Sequence, residues 1–274
     1  MRVLFIGWIL LLAAVIAPAG ESSLSESERA DLFSQAKQLF RQANDASKKE
    51  PEMARELYQK SALRFERIAR EGSIRNGQLF YNTGNAYFRI NDIGRAILNY
   101  RKAALYTPND INLQQNLDFA RKKRKDAIEE RSEAKALQIV FFWHYDFSMR
   151  LRAWVFGASF AAAWLLAACT LLVPKGYLKW LAAGAGMVAV LCLGSLIVEA
   201  ANSGRDQPGV IVAESIVARK GDSESYEQSF REPLHAGTEF QVVEDRGDWF
   251  NVSLADGREC WIPRSGVGLV KERP

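Results

Sequence analysis

Few residues in this chain offer reactive chemistry. It has three cysteines and two histidines among 274 residues. Cys169 and Cys192 lie inside long apolar runs, Cys260 stands alone near the C-terminus, and no Cys-x-x-Cys pair occurs. His144 and His235 are far apart in sequence. This spacing argues against a metal site or a disulfide framework, and Cys260 reads as a small buried hydrophobe. The chain lacks a Walker loop, a G-x-S-x-G elbow and an H-E-x-x-H pair, so neither enzymatic activity nor a cofactor is expected. Arg246-Gly247-Asp248 matches an adhesion tripeptide, but a hairpin turn needs glycine there anyway. Asn251-Val252-Ser253 matches a glycosylation acceptor but falls in an expected strand. The side chains that remain suit recognition. Trp249 and Trp261 are candidates for a peptide or glycan cleft, the alternative being that at least one belongs to the core.

The charge balance agrees with recognition. A net charge of +4 is small and spread over the chain, so no concentrated basic face for nucleic acid is expected. The apolar residues are distributed unevenly. Met1-Arg2, the run VLFIGWILLLAAVIA and Ala17-Pro18-Ala19 predict a signal peptide over 1–19, cleaved after Ala19, with an uncleaved anchor as the alternative. Ala153–Val173 and Trp180–Val198 are charge-free runs, each long enough to cross a bilayer. The intervening PKGYLK allows only a hairpin, so the flanking parts end on one side. Ala153, Gly157 and Ala161 on the first span, and Ala182 and Gly186 on the second, are expected to let the two helices approach. With no buried charge in either span, the hairpin reads as an anchor rather than a transport path. Lys175 and Lys179 favour a cytoplasmic loop, whereas Arg150 and Arg152 oppose it; the export signal decides for a cytoplasmic loop. Ahead of the spans, Phe141, Phe142, Trp143, Tyr145 and Phe147 predict an interfacial elbow over 137–149, with Asp146 or Ser148 capping the next helix.

The positions around these spans follow two periods. Residues 21–30 read as a flexible start, and a helical stripe runs from Leu32 to Ala43. Pro51 opens a second helix that closes at Glu71-Gly72-Ser73. In 77–110, Phe80, Gly84 and Tyr87 share one helix face, and Ala96, Tyr100 and Ala103 share another across a turn at Ile90-Asn91-Asp92. Pro108 ends the second helix, and Asn109-Asp110 caps the next. Residues 111–136 read as one long helix whose first half covers the pair before it; Arg121–Lys125 reads as a solvated face, or else a contact with anionic lipid. After a polar linker over 201–208 the period becomes two. Gly209–Arg219, Glu239–Asp245, Trp249–Leu254 and Glu259–Pro263 predict strands, separated by turns at Gly221-Asp222, Arg246-Gly247-Asp248 and Asp256-Gly257.

The 77–110 pattern resembles the tetratricopeptide repeat, a helix–turn–helix of about 34 residues. Gly84, Tyr87, Ala96, Tyr100, Ala103 and Pro108 occupy its spaced positions; Phe80 stands for the usual Trp, and Thr83 departs from the usual Leu. The resemblance implies a repeat domain over 21–136 with a degenerate first repeat and a capping helix. It also implies a groove that binds partners through Tyr81, Asn85 and Arg89. Residues 209–274 resemble the bacterial SH3-like domain, carried by Ala236-Gly237-Thr238, Gly247-Asp248-Trp249, Asp256-Gly257 and Trp261-Ile262-Pro263, with Cys260 where Gly is usual. The whole order, with membrane helices over 150–173 and 177–200, resembles the BatE-like members of the bacterial aerotolerance system. That resemblance implies a multidomain inner-membrane protein: all-α tetratricopeptide-type repeats, two transmembrane helices and a small all-β SH3-like barrel. Both outer modules would be periplasmic. It implies a scaffold beside von Willebrand factor A-type membrane proteins and a MoxR-type ATPase, linked to oxidative stress; the alternative is an envelope sensor that binds cell-wall peptide or glycan.

Overall fold

The computed structural model describes residues 24–129, 140–145, 147–173, 175–202 and 207–271. The signal-peptide segment 1–19 and much of the elbow lie outside the described residues.

The N-terminal region is built of paired helices. α1 (Glu26–Ala46) and α2 (Pro51–Glu71) form one pair, and α3 (Gly77–Arg89) and α4 (Ile93–Ala104) the next. α5 (Ile111–Lys123) packs against α4. α1 begins before the apolar stripe, because Ser25 and Glu28 form a reciprocal capping box. The expected flexible start is therefore helical from Glu26 onward. Pro51 sits in the first turn of α2, where its missing N–H costs nothing. At the α3–α4 turn Asn91 takes a positive φ of 63°, a conformation its short polar side chain tolerates. Asp92 then caps α4 by accepting from the Arg95 N–H. α4 ends at Ala104, a few residues ahead of Pro108, and Asp110 caps α5 through the N–H groups of Asn112 and Leu113.

The α3–α4 contact follows the small-residue pattern. A Cβ on Gly84 would lie 2.7 Å from the ring of Tyr100, which is itself 1% exposed. Ala96, Ala103, Tyr87 and Phe80 fill the core around this approach. Thr83, the departure from the repeat pattern, is buried and donates its hydroxyl to the Leu79 carbonyl, so its polar atom is satisfied within the helix. The predicted helix over 111–136 is corrected: α5 stops at Lys123, and Arg124 takes an extended conformation. The chain leaves the helix there because Asp126 is drawn to the C-terminal sheet.

After the short α6 (Phe142–Tyr145), two long apolar helices follow, α7 (Met149–Leu172) and α8 (Gly176–Asn202). Both are long and apolar enough to cross a membrane. They lie antiparallel, since Arg152 near the start of α7 meets Ser195 and Glu199 near the end of α8. Ser148 caps α7 by accepting from the Leu151 N–H, and Asp146, the other expected cap, lies outside the described residues. The contact face of α8 includes Ala182 and Gly186, but a Cβ on Gly186 would meet nothing within 4 Å, so the close approach expected there is not found. That of α7 is corrected: Ala153, Gly157 and Ala161 are exposed, and Phe156 and Ala163 face α8 instead.

The C-terminal region is an antiparallel β-sheet. β1 (Pro208–Ile211), β4 (Glu239–Asp245), β5 (Trp249–Leu254), β6 (Glu259–Pro263) and β7 (Val267–Leu269) form one sheet in the order β6-β5-β4-β1-β7. β2 (Ser215–Ile216) and β3 (Leu234–His235) pair separately. β4, β5 and β6 have the limits the alternation predicts, and Gly247 and Gly257 take the positive φ their turns require. The expected strand over 209–219 is instead two short ones. Phe240, Phe250, Val252, Cys260 and Ile262 form the core of this region, and Cys260 is 2% exposed. Burial pushes its thiol up to about 12.

Candidate binding surfaces and the seam between modules

Three places bring candidate side chains together. The first is the junction of α3 and α5. The Asn116 amide of α5 donates to the Tyr81 hydroxyl at 2.9 Å and to Asn85 Oδ1 at 3.2 Å. Asn85 Oδ1 also accepts from the buried Tyr100 hydroxyl at 2.8 Å. Phe88 and Phe119 meet alongside, with centroids 5.6 Å apart. Tyr81 and Asn85 are half-buried and Arg89 is exposed. Tyr81 and Asn85 therefore belong to one fixed polar network on this seam, and Arg89 extends the same helix face into solvent.

The second place is the outer face of β5 and β6. Core residues alternate inward along β5, which leaves Trp249, Asn251 and Ser253 on the other face. Trp261 lies across from Asn251 in the β5–β6 register, diagonal to Trp249. Both tryptophans are half-buried. The Arg246 guanidinium stacks over the Trp261 ring at 4.8 Å. Asn251, two residues from Trp249 and paired with Trp261 in the register, has a buried Oδ1 with no hydrogen-bond partner.

The third place is a seam that the sequence reading did not find. The β-sheet region docks on α4 and on the segment after α5. Gly94 lies against the Ile211 carbonyl, where a Cβ would come within 2.6 Å, and Leu98 lies against Gly268. Val210 and Val270 join the helical core. Around this contact, charges cross from one region to the other. Glu239 Oε1 accepts from Arg121 Nε at 2.8 Å and Arg124 Nη1 at 3.4 Å, and Oε2 from Arg121 Nη2 at 2.9 Å and Arg101 Nη1 at 2.7 Å. Asp126 accepts from the His235 and Thr238 side of β3: the His235 N–H at 2.6 Å and the Thr238 hydroxyl at 2.7 Å both reach Oδ2.

The solvated reading of Arg121–Lys125 is thus corrected. Lys122, Lys123 and Lys125 are exposed, but Arg121 and Arg124 turn inward to the sheet. Sequence could not show this, because the partner lies more than a hundred residues away. Burial alone would raise the Glu239 carboxyl, but the Arg121 hydrogen bonds and the three guanidinium charges outweigh it and hold it below its ordinary range. Asp126 is likewise lowered, burial being outweighed by its hydrogen bonds from His235 and Thr238.

A further correction concerns the hairpin. Arg152 is 4% exposed. It donates to the Phe147 carbonyl at 3.1 Å and the Ser195 hydroxyl at 2.6 Å, and it pairs with Glu199. His144 Nδ1 lies 2.7 Å from the same hydroxyl. The hairpin therefore does bury a charge, at the end where both helices leave toward the modules. Placing the span boundary at Ala153 put Arg152 outside it and hid the pair.

Among the described residues no cluster of His, Cys, Asp and Glu is arranged to hold a metal ion. Scanned against protein families, curated proteins and solved structures, the chain matches none.

Proposed function

We propose that this chain is a membrane-anchored scaffold of the bacterial envelope. Its tetratricopeptide-type helices hold partner proteins along the α3–α5 face, and its SH3-like region braces them. The observation that carries this reading is the docking of the sheet on α4 and the α5 exit, which leaves the Tyr81, Asn85 and Arg89 face uncovered by the sheet. A groove whose polar groups are already fixed by Asn116 and Tyr100 loses little entropy on binding, which favours recognition. The resemblance to the aerotolerance system makes von Willebrand factor A-type membrane proteins and a MoxR-type ATPase the first partners to test. A photocrosslinker at Arg89 in the full chain in membranes is expected to capture a protein, with less capture when Asn116→Ala loosens the network. Capture that is unchanged by Asn116→Ala would count against this face.

A second reading is favoured by the unpartnered Oδ1 of Asn251, two residues from Trp249 and paired with Trp261 in the register. A buried acceptor without a donor costs about 1–3 kcal/mol, and a peptide amide or sugar hydroxyl would supply one. In that reading the sheet senses cell-wall peptide or glycan. Cosedimentation of the full chain with sacculi, lost in Trp261→Ala, supports it; no cosedimentation rejects it.

A further inference from the structure

The seam between the helical and sheet regions contains more than an ion-pair lock. Glu239 receives hydrogen bonds from Arg101, Arg121 and Arg124. A carboxylate offers about four lone-pair positions, so these contacts fill it. Arg121 spends its fork on Glu239 and also reaches Asp118. Arg101 and Arg124 each make one side-chain hydrogen bond, yet each guanidinium carries about five N–H donors. The other carboxylate here, Asp126, is occupied by His235 and Thr238. The three guanidinium groups therefore pair with Glu239 and, through Arg121, with Asp118, and hydrogen-bond donors of Arg101 and Arg124 are left over.

A cavity of about 440 Å³ is lined by these three arginines, by the already occupied Glu239 and Asp126, and by the apolar Ile128, Phe240 and Leu254. That volume is within the range of small-molecule sites, about 300–1,000 Å³, and leaves room for an organic part beside the anion. The geometry also separates anion classes. Arg101 belongs to α4 and Arg124 follows α5, so the two guanidinium groups reach the cavity from different elements. A carboxylate has two acceptor oxygens and would duplicate Glu239. A phosphate monoester has three and carries about −1.5 to −2 charges near neutral pH, which suits two flanking forks.

We propose that this seam cavity is a binding site for a small phosphate monoester, held by Arg101 and Arg124 with its organic part against Phe240 and Leu254. Such a ligand bridges the helical and sheet regions and tightens their contact. This site is separate from the α3–α5 face and does not depend on that face binding a partner.

The test uses the full chain in nanodiscs of phosphatidylcholine at constant ionic strength. Glycerol 3-phosphate, inorganic phosphate and acetate are titrated while binding and thermal unfolding are followed. The expected result is that glycerol 3-phosphate binds at least tenfold tighter than acetate and raises the unfolding temperature. Arg101→Gln and Arg124→Gln should each weaken it about tenfold. Glu239→Gln should tighten it severalfold, because donors held by the carboxylate are released; a gain cannot come from misfolding. Competition by vesicles of phosphatidylcholine with phosphatidic acid would assign the phosphoryl group to a lipid headgroup, and lack of competition to a soluble ester. Equal responses to acetate and glycerol 3-phosphate in the unmodified chain, or undiminished binding in the folded Arg101→Gln, Arg124→Gln double variant, would overturn the proposal.

Discussion

Glu239 joins the two regions through four hydrogen bonds from guanidinium groups. Its side chain is 17% exposed and meets three guanidinium groups. Glu239→Ala would leave those charges unpaired in a half-buried seam, and about 2 kcal/mol of stability should be lost in chemical denaturation of the full chain. The same group gives a pH dependence. Its folded-state pKa is lowered, as is that of Asp126, so their contribution is complete above the ordinary carboxylate range, about pH 4, and is lost as pH falls through the lowered values. Denaturation midpoints should drop as pH falls below about 4 in the unmodified chain, and that drop should be smaller in Glu239→Gln. A single sequence shows such a residue only as one acid in a strand of alternating type. Its meaning depends on arginines at 101, 121 and 124, and no local period connects them. Cys260, by contrast, was legible, because its place inside an alternating run already puts it on the core face.

Among the elements, local signals were strong where packing and capping agreed. The limits of β4, β5 and β6 follow from alternation bounded by glycine turns, and the α3–α4 pair from small residues at the crossing. Gly84→Ala tests that crossing. Alanine would improve helix propensity by about 1 kcal/mol, but its Cβ would press on the buried Tyr100 ring. Overpacking of this kind costs about 1–3 kcal/mol, so a net loss is expected, read as a lower unfolding temperature. Elements failed to be legible where a distant partner decides the backbone. α5 ends early because Asp126 is pulled to His235 and Thr238, and α1 starts early on a capping box that its polar residues disguised as a flexible tail. In the hairpin, Arg152 ties α7 to the end of α8 through Ser195 and Glu199. Arg152→Ala would strand Glu199 beside apolar helices. A cysteine introduced at Val155 should then crosslink to the native Cys192 less readily in micelles than it does when Arg152 is retained, since both positions line one pocket.

For the whole molecule, the order of parts matters more than any one of them. Helices before the apolar hairpin and strands after it share a core through Val210 and Val270 and a seam through Glu239. Two antiparallel apolar helices return the chain to the side it left, which lets such regions meet if the hairpin crosses a bilayer. The sequence already required a shared side from the short PKGYLK loop; the docked seam is a second, independent support for that arrangement. The most direct measurement is a set of topology reporters in a bacterial host, fused after Glu129, at Lys175 in the hairpin loop, and after Lys271. The account predicts the same exported signal at Glu129 and Lys271 and the opposite signal at Lys175. Opposite signals at Glu129 and Lys271 would contradict it.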